Sequence, residues 1–164
     1  MTEYAIEVLD GFFPEEILQA LIEKVESSEE RKQEFRWTQA PEDAPPVIAA
    51  AAVFAAGRLD LQFNFAILKW YRASDDYQSL AYIVHRDPEE LASIPLVLCT
   101  LKGEADLIYW QLNGAEERIR CRPNMVVLLD PRLEHQVTPP LGPDGERFLL
   151  FLGLDTSRLD LGAA

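Results

Sequence analysis

Residues 94–137 read IPLVLCTLKGEADLIYWQLNGAEERIRCRPNMVVLLDPRLEHQV, and this stretch decides the fold. Short apolar runs at 94–101, 107–112, 119–121, 125–129 and 134–137 follow one another closely. Runs of that length, rich in β-branched and aromatic residues and broken by turn residues, read as strands rather than helices. Asn113-Gly114 predicts a tight hairpin turn in which both central residues take positive φ. A short hairpin is expected after Leu101. Working outward, residues 148–152 form a further strand beyond the turn Gly142-Pro143-Asp144-Gly145, and residues 63–71 form one upstream. Between them lie a polar loop at 73–78 and an apolar lead, 80–84, into His85-Arg86-Asp87.

The first third of the chain has a different period. Residues 4–9 read as a strand, and Pro14-Glu15-Glu16 then opens a helix. Proline suits the first helical position, and the glutamates complement the positive end of the helix dipole. Ile17, Leu18, Leu21, Ile22 and Val25 give this helix its apolar stripe. The charge-rich residues 26–34 read as a solvated helix end or loop. Residues 40–46, with three prolines, should be irregular. An alanine-rich helix is expected over 47–56, with Gly57 as its stop. Helices first and a run of short strands after predict an α+β fold whose core is a double-sheet jelly roll or cupin-like barrel.

At 164 residues the chain is expected to be a single domain, 1–164, large enough for a substantial core. The formal net charge of −13 repels phosphate backbones, so nucleic acid is a poor candidate partner. Arg118, Arg120 and Arg122 alternate along one strand and read as a solvated sheet face. Cys99 and Cys121 show neither a CxxC pair nor zinc-site spacing, which predicts buried reduced thiols and a cytoplasmic protein. The N-terminus lacks the apolar run of a secretory signal, and no run reaches membrane-spanning length. The expected assembly is a monomer or weak dimer.

The chain has two histidines, His85 and His135. On a strand, residues i and i+2 share a face, so His85 and Asp87 can hold one metal while Arg86 points away. His135, at the end of the run MVVLLDPRLEHQV, supplies a third ligand from a distant strand. Two histidines and one carboxylate on one side of an ion leave positions open, the arrangement of non-haem Fe(II) oxygenases. Glu89 and Glu90 are better explained as the first turn of a helix after Pro88. Thr100 lies on a strand apolar on both faces, so its direction is unreadable. Trp110 is compatible with lining a pocket or packing in a sheet.

The ordered blocks YIVHRDP, LKGEADLIYW, PNMVVLLDPRLEHQV and GERFLLFLG resemble the 2-oxoglutarate/Fe(II)-dependent dioxygenases, especially the prolyl-hydroxylase-like branch. The N-terminal VLDGFFPEEILQALIEKV is similar to that branch's lead-in, so the likeness spans nearly the whole chain. The resemblance implies N-terminal helices packed on a double-stranded β-helix, with the site between two opposed sheets. It implies His85, Asp87 and His135 as iron ligands and Arg147 as the residue binding the far carboxylate of 2-oxoglutarate. Tyr71 would help hold that carboxylate, and Tyr82 would face the metal pocket. The implied activity is hydroxylation of a peptidyl (prolyl-type) or small-molecule substrate, with release of succinate and CO2. Fe(II), 2-oxoglutarate and O2 are the implied cofactors, with ascorbate a candidate addition. Two other readings fit the same residues: an inactive jelly-roll binding or regulatory protein, and a cupin-type metalloenzyme that does not use 2-oxoglutarate.

Overall fold

The computed structural model describes residues 6–38, 40–75, 94–143 and 145–158. Its strands are β1 (Glu7–Leu9), β2 (Lys32–Arg36), β3 (Phe65–Arg72), β4 (Leu96–Lys102), β5 (Ala105–Trp110), β6 (Glu116–Cys121), β7 (Met125–Leu129), β8 (His135–Val137) and β9 (Glu146–Gly153). The helices are α1 (Glu15–Glu26) and α2 (Pro46–Leu59). Among the described residues the strands form two antiparallel sheets, one ordered β1-β7-β4-β9-β3-β2 and the other β6-β5-β8. The architecture is therefore α+β with a jelly-roll-like core.

Alternation along each strand divides the interior in two. One face of the larger sheet packs Ala66, Leu68, Cys99, Phe148 and Leu150 under the helices. The opposite face turns Leu96, Leu98, Val127 and Leu149 toward Leu107 and Tyr109 of the smaller sheet. In α1 the buried residues are Leu18, Leu21 and Val25; in α2 they are Ile48, Ala51, Ala52 and Ala55. The alanine stripe lets α2 lie close to its neighbours, while fully buried Leu21 and Ile48 each contribute about 1.5–3 kcal/mol of apolar burial.

Asn124 keys this helical layer to the barrel. Its side-chain Oδ1 accepts from Phe13 N at 2.9 Å, its Nδ2 donates to Phe13 O at 3.0 Å, and its own carbonyl accepts from Phe12 N at 3.0 Å. The residue holds a left-handed backbone, φ 62°, which asparagine tolerates better than most side chains.

Several local expectations change. Gly57 does not end α2, which runs to Leu59 and closes on Asp60 at φ 53°. Pro14 precedes the first helical residue instead of occupying it. Residues 40–46 contain a short 3-10 turn, Pro41–Asp43. Within 26–34 the chain enters β2, an edge strand whose charged residues alternate outward, so a polar composition concealed a period of two. The Asn113-Gly114 turn gives only Gly114 a positive φ, 86°. Gly114 N donates to Gln111 O and Gln111 N to Ala115 O, both at 2.9 Å, so the hairpin is a longer turn closed by a glycine bulge. The turn after Leu101 joins no hairpin: β4 and β5 lie in different sheets, and residues 103–104 carry the chain from one to the other. No helix among the described residues is long and apolar enough to cross a membrane.

Candidate active site

The space between the sheets holds buried polar side chains, Arg147 and Thr100 from the larger sheet and His135 from the smaller. β9 places Arg147 on the inner face, alternating with Leu149 and Phe151 of the inner cluster. Arg147 is only 2% exposed. Its Nη2 donates to Thr100 Oγ1 at 2.8 Å, while Nε and Nη1 have no hydrogen-bond partner among the described residues. Burying a guanidinium with two of its three nitrogens unsatisfied is costly, because lost hydration is not replaced. The guanidinium therefore keeps donor capacity on both edges of its plane, a charge that an anion can meet.

The expected residues around it can now be placed. Tyr71 on β3 is the direct cross-strand partner of Arg147 and packs against the inner cluster, so both share the inner face. Thr100, whose direction was unreadable in the sequence, follows Leu96 and Leu98 on that face. Residue 103 helps set the depth of Arg147. A Cβ on Gly103, at φ 81°, would lie 1.8 Å from the Glu146 carbonyl oxygen, so this turn presses backbone to backbone against the residue before Arg147.

From the facing sheet, His135 on β8 is 4% exposed and lies opposite Tyr109 of β5. Tyr109 and Val137 belong to the inner cluster, which places His135 on the inner face. Its Nδ1 is 3.0 Å from the Leu133 carbonyl. A carbonyl only accepts, so the contact puts a proton on Nδ1 and anchors the ring by that nitrogen, as the second nitrogen of a metal-binding imidazole is anchored. His85, Asp87 and Tyr82 lie outside the described residues, as do Glu89 and Glu90. Among the described residues no three His, Cys, Asp or Glu side chains converge as a metal site.

The chain's overall shape matches solved oxygenase structures. A prolyl-4-hydroxylase from Pseudomonas putida aligns over 93% of this chain and 92% of its own, with TM-score 0.60 and 14% identity. HygX from Streptomyces hygroscopicus, solved with iron bound, aligns over 92% and 82%, with TM-score 0.62 and 15% identity. SnoK, a non-haem α-ketoglutarate-dependent carbocyclase from nogalamycin biosynthesis, aligns over 92% and 79%, with TM-score 0.64 and 13% identity. The fold is shared. No family model matches the sequence, and no curated protein matches it.

Three further residues matter at this site or behind it. Cys121 ends β6 on the inner face. Burial pushes its thiol pKa up; the Arg147 charge pulls it down, Asp106 adds to the rise, and the Leu107 backbone and Thr100 hydroxyl lower it again. Tyr109 is held above the ordinary phenol range, first by burial and then by the charge of Glu117. Trp110, by alternation, faces away from Tyr109 and the interior.

The third residue, Asp106, lies on the outer face of the smaller sheet. Its carboxylate accepts from Arg120 Nε at 2.5 Å and Arg118 Nη1 at 3.1 Å. Burial alone would raise its pKa, but the hydrogen bonds and charges of Arg120 and Arg118 outweigh that and hold it below the usual carboxylate range. The alternating arginines are thus a half-exposed face organised around a buried acid, with Arg122 Nε 3.7 Å from Glu104. Sequence alternation located that face; its pairing to Asp106, one strand away, has no sequence signal.

Proposed function

We propose that this protein is an Fe(II)- and 2-oxoglutarate-dependent oxygenase that hydroxylates a peptidyl (prolyl-type) or small-molecule substrate. The observation that carries the reading is the buried Arg147 guanidinium, with Nε and Nη1 unsatisfied, on the same interior face as His135. A cation in that position fits a carboxylate ligand, and the anchored His135 imidazole fits a metal.

In this reading His85, Asp87 and His135 hold the iron. Arg147 takes the far carboxylate of 2-oxoglutarate through its unsatisfied donors, while Thr100 orients the guanidinium through Nη2. Tyr71, the cross-strand partner of Arg147, would help hold the same carboxylate, and Tyr82 would face the metal pocket. Leu133, through its carbonyl, keeps the His135 ring in one tautomer and orientation. The apolar walls, including Leu149 and Met125, exclude water around the charged ligand and strengthen its contacts. Bound iron, with 2-oxoglutarate and O2, supplies oxidation of a substrate C–H bond to C–OH coupled to release of succinate and CO2. Among the fold neighbours, HygX was solved with nickel, 2-oxoglutarate and hygromycin B bound, and SnoK is named as α-ketoglutarate-dependent. Both support the reading. Ascorbate is a natural additive for the assay, and a monomer or weak dimer working in the cytoplasm completes the proposal.

The test is spectroscopic. Under anaerobic conditions Fe(II) and 2-oxoglutarate together should give a weak visible charge-transfer band, which succinate, lacking the keto oxygen, should not reproduce. Air should then yield succinate. His135→Ala should abolish stoichiometric iron binding with the fold retained, measured by metal analysis after desalting. A protein that binds Fe(II) but shows no band with saturating 2-oxoglutarate is not an oxygenase of this kind.

A further inference from the structure

The space between the sheets opens toward solvent along its smaller wall. The inward residues of β6 pass from buried Cys121 through half-buried Ile119 to exposed Glu117. Their partners on β5, Ala105, Leu107 and Tyr109, follow the same order, from 0% to 8% exposed. On the facing wall, Arg147 and Leu149 are buried and Phe151 is half-buried. At the open end the register sets one row across the smaller sheet: Tyr109 lies directly opposite His135 on one side and directly opposite Glu117 on the other. Direct cross-strand partners share a face, and Tyr109 packs in the inner cluster, so all three residues belong to the interior face. Two strand spacings, about 10 Å, separate the backbones of His135 and Glu117.

The row lacks a counter-charge. Arg118 and Arg120 alternate to the outer face, where Asp106 holds them, and Arg122 reaches Glu104. Among the described residues Glu117 has no ion pair and the Tyr109 hydroxyl no hydrogen bond. A phenol ring beside a free carboxylate is the chemistry that receives an ammonium or a guanidinium, by the ring face and by the ion pair together. The formal net charge of −13 adds a field that draws cations toward the protein. We propose that Tyr109 and Glu117 form a cation subsite at the mouth of the cleft, so that the substrate is a basic molecule or peptide presenting an amine or guanidine beside the metal. This rests on the proposed oxygenase reading and names the charge class of its substrate.

The experiment uses Mn(II) in place of iron as a relaxation probe, with 2-oxoglutarate bound, and agmatine as the cation. Proton NMR should show the agmatine methylenes broadened by the wild type, while 1,5-pentanediol, uncharged and similar in length, stays sharp. Glu117→Lys should abolish the broadening. Glu117→Gln should reduce it roughly two- to fivefold, the worth of one exposed ion pair, and Tyr109→Leu should reduce it by a similar factor through loss of the ring face. Glu116→Lys is the matched control: it makes the same change of charge one residue away, opposite Trp110 on the outer face, and should leave the broadening in place. Equal loss in Glu116→Lys and Glu117→Lys would reduce the effect to net charge and overturn the inference. So would equal broadening of agmatine and the diol, or sharp agmatine lines in a wild type that holds Mn(II) and 2-oxoglutarate; both leave the oxygenase reading standing. A wild type that binds neither metal nor 2-oxoglutarate overturns that reading, and this inference with it.

Discussion

Asp106 and Arg147 are both charged side chains buried in the barrel strands, at 5% and 2% exposure, and they are solvated in opposite ways. Asp106 has two arginines on its oxygens. Arg147 has a single neutral hydroxyl and no carboxylate partner among the described residues. A buried charge with its counter-charges in place is part of the architecture. One left short of partners costs free energy in the empty protein and is maintained for something that arrives. The contrast separates an acid satisfied within the fold from a cation left with spare donors, the one proposed to bind a ligand.

The largest effect expected from this contrast is on ligand binding. Arg147→Ala should weaken 2-oxoglutarate by about 2–5 kcal/mol, a loss of thirtyfold or more in calorimetry, with iron occupancy preserved. Arg147→Met should raise the stability of the ligand-free protein by about 1 kcal/mol or more in denaturant titration, because an uncompensated buried charge is replaced by apolar packing. A destabilised Arg147→Met would mean that Arg147 is itself structural and would erase the distinction.

Asp106→Asn should do the reverse. It should cost roughly 1.5–3 kcal/mol of stability through lost charged hydrogen bonds and leave 2-oxoglutarate affinity unchanged. The sign with pH follows from its depressed pKa. The contribution of Asp106 is fully present above its ordinary carboxylate pKa of about 4 and is lost as pH falls through its lower folded value. The wild type should therefore lose stability more steeply below about pH 4 than Asp106→Asn; parallel acid limbs in thermal melts would show that the arginine clamp contributes nothing.

The smallest change is Thr100→Val, which keeps the shape and removes one hydrogen bond. Affinity for 2-oxoglutarate should fall by about 1 kcal/mol, roughly fivefold, as Arg147 loses its orientation. An unchanged affinity would show that the ligand orients the guanidinium unaided.

Sequence carried the strands further than the partners. The run 125–129 coincides with β7, because an apolar segment bounded by Asn124 and by Asp130-Pro131 leaves little choice of ends. β2 was hidden because an edge strand needs only half of its residues to be apolar, and KQEFR has one. His135 was visible as one of two histidines, at the end of an apolar run, and Arg147, just before the run 148–152, only through the family resemblance. Thr100 was not, since β4 is buried on both faces and gives no phase from which to read direction. His85, Asp87 and Tyr82 remain readings of the sequence, outside the described residues.

The turn at Gly103 has a consequence for how this cavity can diversify. Its backbone leans on the carbonyl of Glu146, the residue before Arg147, just where the chain leaves β4 for the smaller sheet. Replacements at Thr100, Cys121 or Met125 can therefore re-line the chamber for a new occupant while the frame keeps its dimensions. An insertion in the turn, or any side chain on residue 103, would instead re-hinge the two walls and displace Arg147. Descendants of this scaffold should vary freely in lining and hardly at all at that joint.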